Sequence, residues 1–137
     1  MPTFVVLKTM EALNASGKAL KGSKVLVLGL AYKKDIDDDR ESPSYELIEL
    51  LKKRGAKADY NDPHCPVIKP TREHPHLAGM KSVPLTAKSL ARYDAVLIST
   101  DHSAYDYQFI VDHASCVIDT RNACKAVRRG RNRIVKA

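Results

Sequence analysis

Two short, unbroken apolar runs set the terms for this chain. Lys24-Val-Leu-Val-Leu-Gly-Leu30 and Asp94-Ala-Val-Leu-Ile-Ser-Thr100 lack the alternation of a half-exposed strand, so each reads as a strand buried on both faces, as in a parallel sheet. Between them the pattern changes to a period near 3.6. Ser44, Leu47, Ile48 and Leu51 share one helical face, with Ser42 as N-cap, Pro43 at the first helical position and Gly55 just past the end. A strand over 57–60 follows at once, which makes a right-handed strand-helix-strand unit with the first strand at 24–29. A leading helix over 3–14, helices near 86–92 and around 105–114, and a last strand Cys116-Val-Ile-Asp119 continue the alternation. The expected fold class is α/β, a sandwich around a mainly parallel sheet. Residues 61–81, with four prolines and no period, are expected as a long surface excursion.

A chain of 137 residues with 44% hydrophobic and 28% charged side chains has one domain's length and a conventional core. No apolar run approaches the roughly 18 residues that span a bilayer, and the start of the chain lacks the zones of a secretory signal, so no membrane is expected and the cytoplasm is the expected compartment. Cys65, Cys116 and Cys124 form no CxxC pair and are expected as free thiols. The net charge of +7 sits entirely in residues 121–137, which hold seven basic and no acidic residues. That stretch reads as a solvated, frayed terminus rather than a phosphate-binding arm. With Tyr 6, Phe 2 and no Trp there is no stacking platform, and nucleic acid is not an expected partner.

In parallel sheets ligands sit beyond the carboxyl ends of the strands, which directs attention to residues 31–42, to Asp101-His102-Ser103 and to Thr120-Arg121-Asn122. The first segment is too long for an ordinary turn and packs Lys33, Lys34, four aspartates, Arg40 and Glu41 together. Two readings stand: Lys33 and Arg40 aimed at phosphate groups, or a solvated loop whose charges pair with one another. Asp35, Asp37, Asp39 and Glu46 fall at calcium-loop spacing, but Arg40 takes the place of the required glycine and Pro43 lies inside the loop, so no metal is expected. Gly29 has no second glycine before Gly55, so the first turn cannot cradle a pyrophosphate on bare backbone. Cys65, His64, His74 and His76 are spaced too irregularly for zinc, and His102 reads as a loop hydrogen-bonder rather than a catalytic base.

Taken together, Gly29-Leu-Ala-Tyr-Lys-Lys-Asp35, Asp38-Asp-Arg-Glu-Ser-Pro43, Asp62-Pro63, Asp101-His102 and Asp119-Thr-Arg-Asn122 resemble the carboxyl-terminal, UDP-sugar-binding domain of the UDP-glucose/GDP-mannose dehydrogenase family, over about residues 1–124. The resemblance implies a Rossmann-like three-layer sandwich with a leading helix from the family's central dimerisation helix. Residues 1–20 would be the end of that helix and a linker, 21–124 the UDP-sugar-binding domain and 125–137 a basic tail. Family enzymes oxidise the C6 alcohol of a nucleotide sugar to a carboxylate with two NAD, through a cysteine-linked thiohemiacetal, in polysaccharide biosynthesis. The NAD-binding glycine fingerprint and the segment bearing the catalytic cysteine are missing here. None of Cys65, Cys116 or Cys124 inherits the nucleophile's role, and no catalytic residue is expected in this fragment.

By the same resemblance Tyr32, Lys33 and Arg121 bind the UDP-sugar, and Arg40 reaches NAD held mainly by the missing domain. Leu77–Pro84 and Asp101–Tyr107 are similar to UDP-N-acetylglucosamine and UDP-N-acetylmannosamine 6-dehydrogenases. The implied partners are therefore a UDP-N-acetylhexosamine and, in the full-length enzyme, a second copy of the chain. The alternative is a stand-alone nucleotide-binding or regulatory module without catalysis.

Overall fold

Burial explains why the apolar runs are strands: Val25 to Leu28 and Ala95 to Ile98 are all fully excluded from solvent. Each side chain therefore meets one helical layer or the other. The computed structural model describes residues 2–30, 43–70 and 74–137. In chain order they form α1 (Pro2–Ala15), β1 (Lys24–Leu28), α2 (Pro43–Lys53), β2 (Lys57–Asn61), α3 (Ala87–Arg92), β3 (Ala95–Ile98), α4 (Tyr107–His113), β4 (Val117–Asp119) and β5 (Ile134–Lys136).

Among the described residues the strands make one sheet in the order β2-β1-β3-β4-β5, and every neighbouring pair is parallel. Val25, Val27, Tyr60, Leu97 and Ile118 pack against Val6 and Leu13 of α1 and Leu47, Ile48 and Leu51 of α2. Leu26, Leu28, Val96, Ile98 and Val117 pack on the other side against Leu90 of α3 and Ile110 and Val111 of α4. This is the expected three-layer sandwich. Each fully buried aliphatic side chain stabilises it by about 1.5–3 kcal/mol relative to exposure.

Local chemistry places the helix ends. Helix α2 begins at Pro43, and the expected N-cap, Ser42, lies outside the described residues. It stops where Gly55, at φ +91°, lets the Gly55 amide donate to Lys52 O at 3.0 Å and the Ala56 amide donate to Leu51 O at 3.0 Å, a Schellman ending. Helix α3 starts from a reciprocal cap between Thr86 and Ser89, and Asp106 accepts from the Phe109 amide to start α4.

The structure differs from the sequence reading in two places. The basic terminus is not frayed: β5 lies within it, pairs with β4, and the Ala137 amide donates to Asp119 O at 3.0 Å. Its arginines serve the fold, since Arg131 donates to Cys124 O and Val127 O, Arg133 to Val111 O, and Arg129 pairs with Asp112. Guanidinium capping of carbonyls turned a charge run into an edge strand. The proline-rich excursion also enters the core: Cys65, Ile68 and Leu77 are buried, and an antiparallel bridge joins Val67 to Lys81.

Candidate functional site

The chain builds β2 on one side of β1 and then returns to build β3 on the other, so the sheet order reverses between β1 and β3. At such a reversal the connections leave in opposite directions and open a crevice beyond the carboxyl ends of the two strands. A cleft of about 240 Å³ lies there, lined by Pro2, Val5, Pro43, Leu47, Ser99, Thr120 and Arg121.

Hydrogen bonds fix the floor of the crevice. Ser44 Oγ donates to Gly29 O at 2.9 Å and lies 2.6 Å from Ser99 Oγ, which ties α2 to the ends of β1 and β3. Thr120 Oγ1 donates to Ile98 O at 2.6 Å. Buried Asp119 accepts from the amides of Arg121, Ala123 and Cys124 at 3.0, 3.0 and 2.9 Å, and so shapes the turn that carries Arg121. Asn122 completes that turn with φ 55°. Burial, reinforced by the Asp119 carboxylate, pushes the Cys124 thiol up to about 12.

Arg121 is exposed and anchored at one end: its Nε donates to Ser99 O at 3.0 Å. Among the described residues its terminal guanidinium nitrogens have no hydrogen-bond or carboxylate partner. A held guanidinium with free terminal N–H groups is what bidentate recognition of a phosphate requires. An adjoining cleft of about 280 Å³ is lined by Asp101, His102, Ser103, Tyr107, Arg121, Asn122, Ala123 and Lys125. Lys125 therefore shares this rim with Arg121, a placement that the sequence reading missed because it assigned 125–137 to the tail.

Among the described residues the end of β1 offers no cradle of bare amides. Gly29 N donates to Asn61 O at 2.8 Å and Leu30 N to Asp62 Oδ2 at 2.6 Å. A Cβ on Gly29 would fall 2.7 Å from both Thr100 N and Thr100 O, so its glycine serves close packing and not ligand approach. These residues do not fit the pyrophosphate of a dinucleotide, and no step through NAD follows from them.

Asp62 has a structural role that its sequence context did not reveal. Buried after β2, it accepts from Leu30 N and from His64 N at 2.7 Å and lies 2.8 Å from His102 Nε2, joining the carboxyl ends of β1, β2 and β3. His102 is wholly buried, in keeping with a loop hydrogen-bonder. Of the sequence-predicted site residues, Arg121 lies in the crevice, whereas Tyr32, Lys33 and Arg40 lie outside the described residues, as do Asp35, Asp37 and Asp39. The nearest described residues on either side, Leu30 and Pro43, stand at this same edge, Leu30 bonded to Asp62 and Pro43 lining the cleft with Arg121. No cluster of metal-binding side chains occurs among the described residues.

The fold and the crevice define a class: a doubly wound α/β domain with a cleft at its sheet reversal and the cations Arg121 and Lys125 on the rim. Residues 26–126 match the model of the UDP-glucose/GDP-mannose dehydrogenase family, UDP binding domain, and the chain belongs to that family. It is 34% identical over 131 residues to a UDP-glucose 6-dehydrogenase of Rickettsia bellii, covering 91% of this chain and 29% of that protein. It is 29% identical over 105 residues to a UDP-N-acetyl-D-mannosamine dehydrogenase of Methanococcus maripaludis, covering 77% of this chain and 22% of that protein. The crystal structure of an NDP-N-acetyl-D-galactosaminuronic acid dehydrogenase from Methanosarcina mazei superposes with a TM-score of 0.76 at 26% identity, over 99% of this chain and 28% of that one. The chain thus spans between a fifth and a third of the length of these relatives.

Proposed function

We propose that this chain is the nucleotide-sugar-binding part of an NAD-dependent UDP-sugar 6-dehydrogenase, that it holds the UDP moiety at the sheet reversal, and that it has no catalytic activity by itself. The observation that carries this reading is the anchored Arg121, which lines the crevice with Pro43 and Leu47 and whose terminal nitrogens have no partner among the described residues. Lys33 and Tyr32 belong to the segment between Leu30 and Pro43. Lys33 brings a second positive charge to the diphosphate and Tyr32 an aromatic contact, while Arg40 reaches toward NAD held by another part of the enzyme. That division of labour is supported by the consumed amides of Gly29 and Leu30.

Relatives named as UDP-N-acetyl-D-mannosamine and UDP-N-acetyl-D-glucosamine dehydrogenases favour a UDP-N-acetylhexosamine as the substrate. Exposed Phe4 and Leu7 on α1 support pairing of the full-length enzyme through this helix, and the cytoplasm is the compartment that fits such chemistry. Among the described residues no helix is long and apolar enough to cross a membrane.

Calorimetric titration of the full chain tests the reading. UDP is expected to bind saturably and uridine, which lacks the diphosphate, at least tenfold more weakly. Equal binding of the two, or none, overturns it. The pure chain supplied with NAD and a UDP-N-acetylhexosamine is expected to form no NADH, and turnover would contradict the assignment of the nucleophile to another segment.

A further inference from the structure

The opposite edge of the sheet carries a second cationic cleft. Lys24 and Lys57 are the first residues of β1 and β2 and are register partners, so they stand side by side about five strand residues, or roughly 16 Å, from the crevice at the carboxyl ends. With Asp59, Val83, Ser89, Arg92 and Tyr93 they line a cleft of about 280 Å³ between the outer face of the edge strand β2 and helix α3. Three cations from three separate elements therefore meet one carboxylate.

That carboxylate is already engaged. Asp59 Oδ2 accepts from the hydroxyl of Tyr93, itself a buried residue, at 2.8 Å. The acid closest in the hydrogen-bond network, Asp94, is spent as well: Oδ1 binds Lys18 Nζ at 2.9 Å and Oδ2 binds the Lys24 amide at 2.8 Å. Among the described residues no carboxylate lies within 4.0 Å of the Lys24 or Lys57 ammonium or the Arg92 guanidinium. Lys18 beside the cleft, by contrast, is paired with Asp94. Unneutralised like charges drawn together in a concave site repel one another, and an anion relieves that repulsion.

We propose that this cleft is an anion site for a small molecule bearing a phosphate group, with Arg92 binding the phosphate through its planar fork, Lys24 and Lys57 neutralising the remaining charge, and Ser89 and Tyr93 bounding its floor. Two lysines and an arginine, less the Asp59 carboxylate, leave a net charge of +2 that matches a phosphomonoester dianion, and the volume admits a phosphorylated metabolite but no macromolecule. The site is independent of Arg121.

Inorganic phosphate is titrated into the 137-residue chain carrying Arg121→Gln, with backbone amide shifts read by NMR; this removes the other cationic edge from the comparison. Saturable shifts are expected at residues 24, 57 and 92. In the same background Lys57→Gln with Arg92→Gln is expected to weaken binding about tenfold or more, and Lys53→Gln, the same kind of charge removal on α2, to change it less than twofold. Asp59→Asn, which removes the competing negative charge and leaves Tyr93 an acceptor, is expected to tighten binding. This gain cannot arise from unfolding. Glycerol phosphate binding like inorganic phosphate would extend the site to phosphomonoesters, whereas binding of inorganic phosphate alone would limit it to the free ion and overturn the metabolite assignment. Non-saturating shifts, or equal weakening by Lys53→Gln, would overturn the site itself.

Discussion

His102 Nε2 lies 2.8 Å from Asp62 Oδ2, and both side chains are completely excluded from solvent. The pair ties the loop after β3 to the loop after β2. Through Leu30 N the same carboxylate also holds the end of β1, so one buried group sets the relative position of three strand ends.

Removal of one partner should therefore leave a buried polar group without its match. Asp62→Ala is expected to destabilise the fold by about 1–3 kcal/mol for each buried donor that loses its acceptor, read as a drop in the urea midpoint. His102→Gln, which keeps a hydrogen-bonding side chain, should cost less and leave UDP affinity within a factor of two to three. A selective loss of UDP affinity in a stably folded His102→Gln would instead place His102 at the ligand.

Gly29→Ala should be among the most damaging single substitutions near the crevice. Its φ of +93° disfavours any side chain, and the added methyl would press on Thr100 backbone. The two effects sum to about 2–5 kcal/mol. Thermal denaturation near that of the wild type would show that the close approach of β1 and β3 is not needed.

The Cys124 thiol offers a pH test. Burial comes first and the Asp119 carboxylate second in holding it neutral, with its titration near 12 instead of the ordinary 9.0. A folded value above the unfolded one means that the contribution to stability is fully present below about pH 9 and is lost as pH rises toward 12. Alkylation of Cys124 at pH 8.5 is expected to be slow in the folded chain and fast in urea. Rapid labelling of the folded chain would contradict a buried, inert thiol.

Strand β5 places half-buried Ile134 on one face of the sheet and half-buried Val135 on the other. Deleting residues 134–137 should cost about 1.5–3 kcal/mol from those two side chains. It would also expose the edge of β4, so a concentration-dependent loss of monomer by sedimentation is expected. An unchanged melting temperature would return the segment to the status of a loose tail.

The layers were legible because period and burial agree in this chain. The doubly buried runs at 24–30 and 94–100 and the stripe of Leu47, Ile48 and Leu51 admit few arrangements, and the structure adopts the expected one. Strand β5 was illegible because Ile134 and Val135 sit among Arg131, Arg133 and Lys136, and local charge outweighed that short apolar pair. The burial of Ile68 and Leu77 was hidden in the same way by the prolines around them. The position of Arg121 beside the crevice was legible from its place after a strand. The sharing of Ser44 between Gly29 and Ser99 was not, because side-chain bonds across elements leave no period in a sequence.

The central claim is that Lys33 and Arg121 grip one diphosphate from two strand ends, and UDP titrated against the wild type, Lys33→Ala, Arg121→Ala and the double variant tests it most directly. The account predicts a loss of about 1–3 kcal/mol for each single variant, and a double variant whose loss departs from the sum by at least about 0.5 kcal/mol. Wild-type affinity in either single variant would contradict it.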